Sequence, residues 1–190
     1  MSSAWRKTLQ RQKNYISFRG EVKRLLVIVF GLPGTGKSYF AKRLAEQLSA
    51  MQINSDSMRN EMLARGHYET TDRLLVYQQM RKDASAALRA GQSVVVDATF
   101  TIAGTIDMFT DLSTQFHCQN ILFEIVADES LVRKRLKAHR NDSEADYEVY
   151  LKLKETMLEP SKPFHTIVST DDNIADMLDI ALTIIRQHEQ

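Results

Sequence analysis

The segment at residues 31–38 constrains this chain more than any other, because it reads Gly-Leu-Pro-Gly-Thr-Gly-Lys-Ser. It lies between an apolar run, Leu25–Phe30, and a helix-like stretch that begins at Lys37. Its glycines let the backbone turn sharply with the N–H groups pointing inward, and the helix that follows adds partial positive charge. This arrangement predicts a loop that binds the phosphates of a nucleotide.

The residue types in this loop predict how the phosphates are held. Lys37 would reach the β- and γ-phosphates as a point charge, and the Ser38 hydroxyl would bind Mg²⁺. The chain has one cysteine, Cys118, and no Cys/His spacing typical of a zinc site, so Mg²⁺ brought by the nucleotide is the expected metal. The predicted nucleotide-binding residues of the segment are Gly31, Pro33, Gly34, Thr35, Gly36, Lys37, Ser38 and Tyr39.

Length and charge predict one main domain with a basic extension before it. The chain has 190 residues and no Pro-, Gly- or Ser-rich linker, so we expect a single domain at residues 25–190. Residues 1–24 carry seven Lys and Arg against one Glu, a net charge of +6, while the remainder carries −5. This extension either contacts a phosphate-rich polymer or an acidic partner, or forms a solvated helix.

The sequence shows no apolar run long enough to cross a bilayer and no secretory signal at its start. We therefore expect a cytoplasmic protein that does not contact membranes. The oligomeric state is left open by the sequence.

Short apolar segments alternate with helical patterns along the chain, which predicts an α/β fold. Strands are expected at Leu25–Phe30, Met51–Asn54, Ser93–Asp97, Ile121–Val126 and Thr166–Ser169. Helices are expected at Lys37–Leu48, Asp72–Ala90, Ile102–Phe116, Glu129–Lys137, Glu144–Leu158 and Ile174–Arg186, with Thr101 and Asp128 among the residues suited to helix starts. Such alternation favours a parallel sheet covered on both faces, whose ligands bind at the carboxyl ends of the strands.

Asp56 and Arg59 follow the second predicted strand, three residues apart on the first turn of a helix. Near the phosphate loop, the carboxylate could accept a proton from a substrate hydroxyl as it attacks the γ-phosphate, and the guanidinium could orient the substrate. The same spacing is equally typical of a helix-capping aspartate in an ordinary surface ion pair. Spacing alone leaves both interpretations open.

Asp97 ends the third predicted strand beside the loop, where a carboxylate suits Mg²⁺ or its bound water. The next residue, Ala98, stands where a motor-type ATPase carries a glutamate that activates water. The sequence also lacks an Asn-Lys-x-Asp guanine-reading motif and a Leu-Ser-Gly-Gly transporter signature. These absences argue against water as the phosphate acceptor.

Several cations collect at residues 133–140, after the fourth predicted strand. From there Arg135 and Arg140 could close over the nucleotide and neutralise charge on the transferring phosphoryl group. The alternative is a solvated basic helix end that complements its own dipole. His139 is more typical of a surface residue.

Together these motifs resemble the P-loop kinase family that includes the 5′-kinase domain of phage polynucleotide kinase, with gluconate kinase and chloramphenicol phosphotransferase as similar relatives. The likeness rests on residues 31–38, on Asn-Ser-Asp-Ser-Met-Arg at 54–59, on Val-Val-Val-Asp-Ala-Thr-Phe at 94–100, and on residues 135 and 141–146. It covers roughly residues 24–186.

The resemblance implies a P-loop NTPase fold with a five-stranded parallel sheet of order 2-3-1-4-5 and a lid near residues 135–146. It implies an ATP- and Mg²⁺-dependent kinase that transfers the γ-phosphate to a hydroxyl and resembles polynucleotide 5′-hydroxyl kinases, with a sugar acid, nucleoside or antibiotic as the alternative acceptor. A nucleotide-binding switch without catalysis is the rival from another class. It further implies Asp56 as general base, Arg59 as the substrate-orienting arginine, and Thr170 near the adenine.

The sequence departs from the family pattern at two points, which limits how far the family's residue roles apply to this chain. Relatives often carry arginine after the aspartate of the third strand, whereas residues 98–116 contain none. Lid arginines commonly lie four residues apart, but that spacing from Arg135 reaches His139, with Arg140 one residue further.

Overall fold

The computed structural model describes residues 24–62, 70–138, 147–157 and 160–188. Its centre is a five-stranded parallel sheet of order β2-β3-β1-β4-β5, which confirms the predicted fold class and strand order. The strands are β1 (Leu25–Phe30), β2 (Met51–Asn54), β3 (Val94–Asp97), β4 (Gln119–Ala127) and β5 (His165–Ser169).

Seven helices lie in the described ranges. They are α1 (Lys37–Leu48), α2 (Ser55–Met62), α3 (Thr70–Arg89), α4 (Thr105–Phe116), α5 (Glu129–Ala138), α6 (Tyr147–Thr156) and α7 (Ile174–His188). None of these helices combines the length and the apolar character that a membrane span requires.

β1 lies in the middle of the sheet, and all of its residues are buried. It pairs with β3 on one side and β4 on the other. Leu26 and Ile28 pack in the core shared with α3 and α4, while Val27 and Val29 pack in the core shared with α1 and α7. Because successive side chains of a strand point to opposite faces, a strand covered on both faces must be apolar throughout.

Arg24 joins two helix ends at the amino edge of the sheet. Its guanidinium donates hydrogen bonds to the Leu88 carbonyl in the last turn of α3, at 3.2 Å, and to the Phe116 carbonyl that ends α4, at 2.8 Å. The last carbonyls of a helix have no partner within the helix, and a cation there also opposes the negative end of the helix dipole. Arg24 therefore holds both helices that cover this face of the sheet.

The predicted elements agree with the structure except at some ends. The prediction that a helix runs from Ile102, capped by Thr101, is wrong, because α4 begins at Thr105 after Gly104 in a left-handed conformation. The Thr105 hydroxyl donates to the Ile102 carbonyl at 2.6 Å, so a turn precedes the helix. Asp128 does cap α5, since its carboxylate accepts the backbone N–H of Ser130 at 2.8 Å. Of the basic extension only residue 24 lies within the described residues.

The start of the phosphate loop tolerates no side chain. Gly31 has φ 144°, and a Cβ there would collide with the backbone carbonyl oxygen of Ile125 in β4. Gly91 offers a matched comparison, because it has φ 83° but open space around its Cβ position.

We expect Gly31→Ala to lower the free energy of unfolding by about 3 kcal/mol or more, since a backbone carbonyl cannot move without disturbing the pairing of β1 with β4. Gly91→Ala should lower it by about 1 kcal/mol through backbone strain alone. Urea unfolding of both variants measures the difference. Equal losses would show that the contact with Ile125 is unimportant.

Candidate active site

A cleft of about 1020 Å³ opens at the carboxyl edge of the sheet. It runs from the phosphate loop and the end of β2 to the turn between β5 and α7. Among the residues that line it are Lys37, Ser38, Asp56, Arg135 and Thr170. The fold thus brings together residues that the sequence separates by more than a hundred positions.

The phosphate loop has the conformation that its glycines predict. Gly34 and Gly36 have φ 79° and φ 94°, and α1 begins directly after Gly36. Lys37 is 8% exposed at the first position of α1, so its side chain is largely shielded from solvent where it lines the cleft. Pro33 and Tyr39 also line the cleft, and Tyr39 is largely exposed.

Thr35 is turned to the other side of the loop. Its hydroxyl donates to the Leu32 carbonyl at 2.9 Å, and both residues line a second cavity of about 490 Å³ between β4 and α6. The polar groups of that cavity are largely paired with protein groups. Glu129 accepts hydrogen bonds from Tyr147 at 2.5 Å and from Lys154 at 2.7 Å. We therefore place the candidate site in the larger cleft.

Asp97 ends β3 and is fully buried. Its Oδ2 accepts a hydrogen bond from the amide of Asn54, while its Oδ1 has no hydrogen-bond partner among the described residues. Burial raises the pKa of Asp97, and the nearby ammonium of Lys37 opposes that effect. A buried carboxylate oxygen without a donor is costly in an empty protein, and such an atom is typical of a ligand site.

The donor set at Asp97 fits Mg²⁺. The described residues contain no cluster of three or more His, Cys, Asp or Glu side chains that could hold a metal by themselves. The Ser38 hydroxyl and the unpaired Oδ1 of Asp97 are hard oxygen donors, the type of which Mg²⁺ takes one or two from protein when phosphates and water supply the others. These two residues would hold the ion, directly or through its water.

Asn54 is a residue to which the sequence analysis gave no role. It ends β2, and its Oδ1 accepts the backbone N–H groups of Asp56 and Ser57 at 3.0 and 2.9 Å, which makes it the N-cap of α2. In the sequence, the one indication of this capping role was the position of Asn54 directly before a predicted helix start. Its contact with Asp97 joins two strands and could not be read from the chain.

Asp56 and Arg59 form the ion pair that their spacing predicts, with 2.9 Å between Oδ1 and Nη1. Asp56 is 43% exposed and lines the cleft, whereas Arg59 is 16% exposed. The charge of Arg59 acts on Tyr77, whose pKa is raised chiefly by burial. Tyr77 itself is a packed aromatic residue stacked on Phe100 at 5.5 Å. The structure thus places Asp56 at the cleft, with the less exposed Arg59 paired to it.

Arg135 connects α5 to both sides of the cleft. Its guanidinium donates to the Thr35 carbonyl and to the Ser169 hydroxyl, each at 3.1 Å, and to the Thr170 carbonyl. These bonds close α5 onto the phosphate loop and onto the turn after β5. The neighbouring Lys134 forms an exposed ion pair with Asp171 at 3.0 Å.

The other predicted lid residues, His139, Arg140 and 141–146, lie outside the described residues. Their placement relative to the cleft stays a prediction.

Comparisons with known proteins identify a family and similar folds. A family model described as an AAA domain matches residues 26–162. A candidate kinase of Chloroflexus aurantiacus superposes with a TM-score of 0.69 at 20% identity, over 88% of this chain and 100% of that one. A gluconokinase of Sinorhizobium meliloti gives 0.64 at 18% identity, over 90% and 96%. The APS kinase of Mycobacterium tuberculosis, solved with AMPPNP and APS, gives 0.64 at 16%, over 86% and 98%. At these identities the likeness shows the fold of P-loop kinases.

Curated relatives add little about activity. Uncharacterized proteins of Mycobacterium bovis and Mycobacterium tuberculosis are 33% identical over 87 residues, which cover 40% of this chain. The chain spans 18% of the length of these relatives.

The contacts of Arg135 predict a test of the closure. Arg135→Met should weaken ATP binding roughly tenfold, because loss of charge-assisted hydrogen bonds worth about 1.5–3 kcal/mol loosens the loop and the turn together. Lys134→Met removes an adjacent cation whose exposed ion pair contributes little, so its ATP affinity should change less than about twofold. Calorimetric titration of both variants with an ATP analogue measures this. Equal weakening would mean that charge alone, not the specific contacts of Arg135, is responsible.

Proposed function

This chain belongs to the AAA domain family, whose model matches residues 26–162, and from that premise we propose that it is an ATP-dependent phosphotransferase acting on a hydroxyl group. The observation that carries the proposal is that Lys37, Ser38 and the carboxylate of Asp56 line one cleft. A hydrolase would need a group that activates water beside Asp97, and Ala98 has no side chain able to do so. Residues 25–190 form the proposed kinase domain, and residues 1–24 form a basic extension.

In the proposed complex the backbone N–H groups of the phosphate loop and the ammonium of Lys37 hold the β- and γ-phosphates. The turn at Thr170 borders the adenine, and Arg135 keeps this turn close to the loop through the contacts described above. Ser38 and Asp97 would hold Mg²⁺, which when bound would neutralise phosphate charge. Catalysis arises from positioning and electrostatic stabilisation.

Asp56 is the proposed general base. The acceptor hydroxyl gives its proton to Asp56 as its oxygen bonds to the γ-phosphorus, and the bond from that phosphorus to the β–γ bridging oxygen breaks, releasing ADP. Arg59 donates to Oδ1 of Asp56, which leaves Oδ2 for the proton. Arg59 thus orients the carboxylate in this proposal.

The residues that line the cleft beside Asp56 indicate which class of acceptor it suits. Gln52, Ser57 and Asn60 line it there with uncharged hydrogen-bonding groups, which suit a small polyhydroxylated molecule. The fold likeness to a gluconokinase supports the same class. A polynucleotide 5′-hydroxyl is the second candidate, supported by the net charge of +6 on residues 1–24 and by the motif resemblance.

Transfer of label from γ-labelled ATP to pooled sugars, sugar acids, nucleosides, antibiotics and oligonucleotides tests the proposal. Labelling of a small alcohol supports the first acceptor class. Labelling of oligonucleotides, with binding that weakens steeply as salt rises, supports the second. ATP binding without transfer to any member of the panel would favour a nucleotide-operated switch and contradict the phosphotransferase proposal.

Asp56→Asn tests the base. The variant keeps the size of the side chain and an oxygen for Arg59 but cannot take a proton at the pH of the reaction. We expect turnover to fall about 10²- to 10⁴-fold while ATP affinity stays within about twofold. Single-turnover transfer and analogue titration measure the two quantities. Wild-type turnover would remove Asp56 from the mechanism.

Lys37→Met tests the phosphate loop. The methionine keeps most of the apolar stem but removes the cation that serves both the ground state and the transition state. ATP affinity and turnover should therefore both fall, by about tenfold or more each. Thermal unfolding of the ligand-free variant serves as the control for folding. Unchanged affinity and turnover would contradict the assignment of the cleft.

A further inference from the structure

We infer that Asn54 is a positioning residue that joins the base-carrying helix to the metal-side carboxylate. This inference rests on the proposed function, since it concerns the same site. The side chain of Asn54 touches three groups that the reaction needs: the first turn of α2 with Asp56, the buried Asp97, and the loop residue Ser38.

The strand register places Asn54 next to Asp97. β2 and β3 pair so that Asn54, the last residue of β2, is the partner of Asp97, the last residue of β3. Side chains of residues paired in this way on one face of a sheet lie close together. The Asn54 amide nitrogen donates to Oδ2 of Asp97 and also lies 3.4 Å from the Ser38 hydroxyl oxygen.

The amide of asparagine suits this position because one end accepts and the other donates. Its oxygen accepts the backbone N–H groups of Asp56 and Ser57, so the nitrogen must face Asp97. Asp97 is fully buried and needs a donor for Oδ2 if its other oxygen, Oδ1, is to remain open for a ligand. Asn54 supplies that donor and at the same time fixes the start of the helix that carries Asp56.

If Asn54 served only as a helix cap, another good capping residue could replace it without loss of Mg²⁺-dependent binding. Ser, Thr and Asn are all good N-caps, because each offers an oxygen to the first backbone N–H groups of the helix. Of these three, only Asn combines this oxygen with an amide donor long enough to reach Asp97. Asn54→Ser and Asn54→Thr therefore keep the cap and remove the amide donor.

The experiment compares these two variants with the wild-type chain and with Asp128→Ser, which exchanges the cap of α5 outside the site. For each protein we would measure the affinity for a non-hydrolysable ATP analogue with Mg²⁺ and with EDTA, the unfolding temperature, and kcat and KM wherever transfer is detected. The ratio of the two affinities reports the contribution of the metal.

We expect Asn54→Ser and Asn54→Thr to lower this ratio about tenfold or more, as loss of an outer-shell partner of a metal ligand typically does. Affinity in EDTA should stay within about twofold, and turnover should fall through kcat more than through KM for ATP. Asp128→Ser should keep the wild-type ratio. If Asn54→Ser fails to fold, Asn54→Thr, which also keeps a capping hydroxyl and lacks the amide, decides the question.

The outcomes separate this inference from the proposed function. Cap-preserving variants with the wild-type affinity ratio and kcat would overturn the role of Asn54 and leave the phosphotransferase proposal standing. A wild-type protein that transfers phosphate to no acceptor, but whose Mg²⁺-dependent binding is lost in both variants, would overturn the phosphotransferase proposal and support Asn54. Wild-type binding that does not respond to Mg²⁺ would overturn both.

Discussion

The parallel pairing of β1 with its two neighbours is the constraint on which the site depends. Because β1 pairs with β3 in a register that sets Val29 opposite Asp97, the phosphate loop begins beside the buried carboxylate. The same register, carried one strand further, sets Asn54 opposite Asp97. The chemistry proposed here therefore follows from hydrogen bonds between backbones, which place the three strand ends along one edge.

One side of the cleft is formed by strand ends of the sheet, and the other side is closed by α5. Asn54 and Asp97 end strands, Asp56 follows one, and all three are held by backbone or buried contacts. Arg135 instead reaches across from α5 to carbonyls of the phosphate loop and of the turn after β5. These bonds join α5 to both sides of the cleft, so the fold itself sets how closely the loop and the turn approach each other.

The sequence predicted what depends on local pattern. The strand positions, the phosphate loop and the start of α1 follow from apolar runs and from glycines at fixed spacing, and they agree with the structure. The role of Asn54 depends on the register between strands forty residues apart in the chain, which no local pattern records. The low exposure of Arg59 was equally hidden, because spacing gives the face of a helix but not what that face meets. The start of α4 was missed because a hydroxyl-stabilised turn resembles a cap in sequence.

The anchoring of Arg24 separates two regions of positive charge. Arg24 is fixed at the amino edge of the sheet, whereas the phosphate loop leaves the opposite edge after the six residues of β1. A strand of that length spans about 20 Å. Arg24 and the phosphate loop therefore lie too far apart to contact the same small anion, and each region presents its positive charge at its own edge of the sheet.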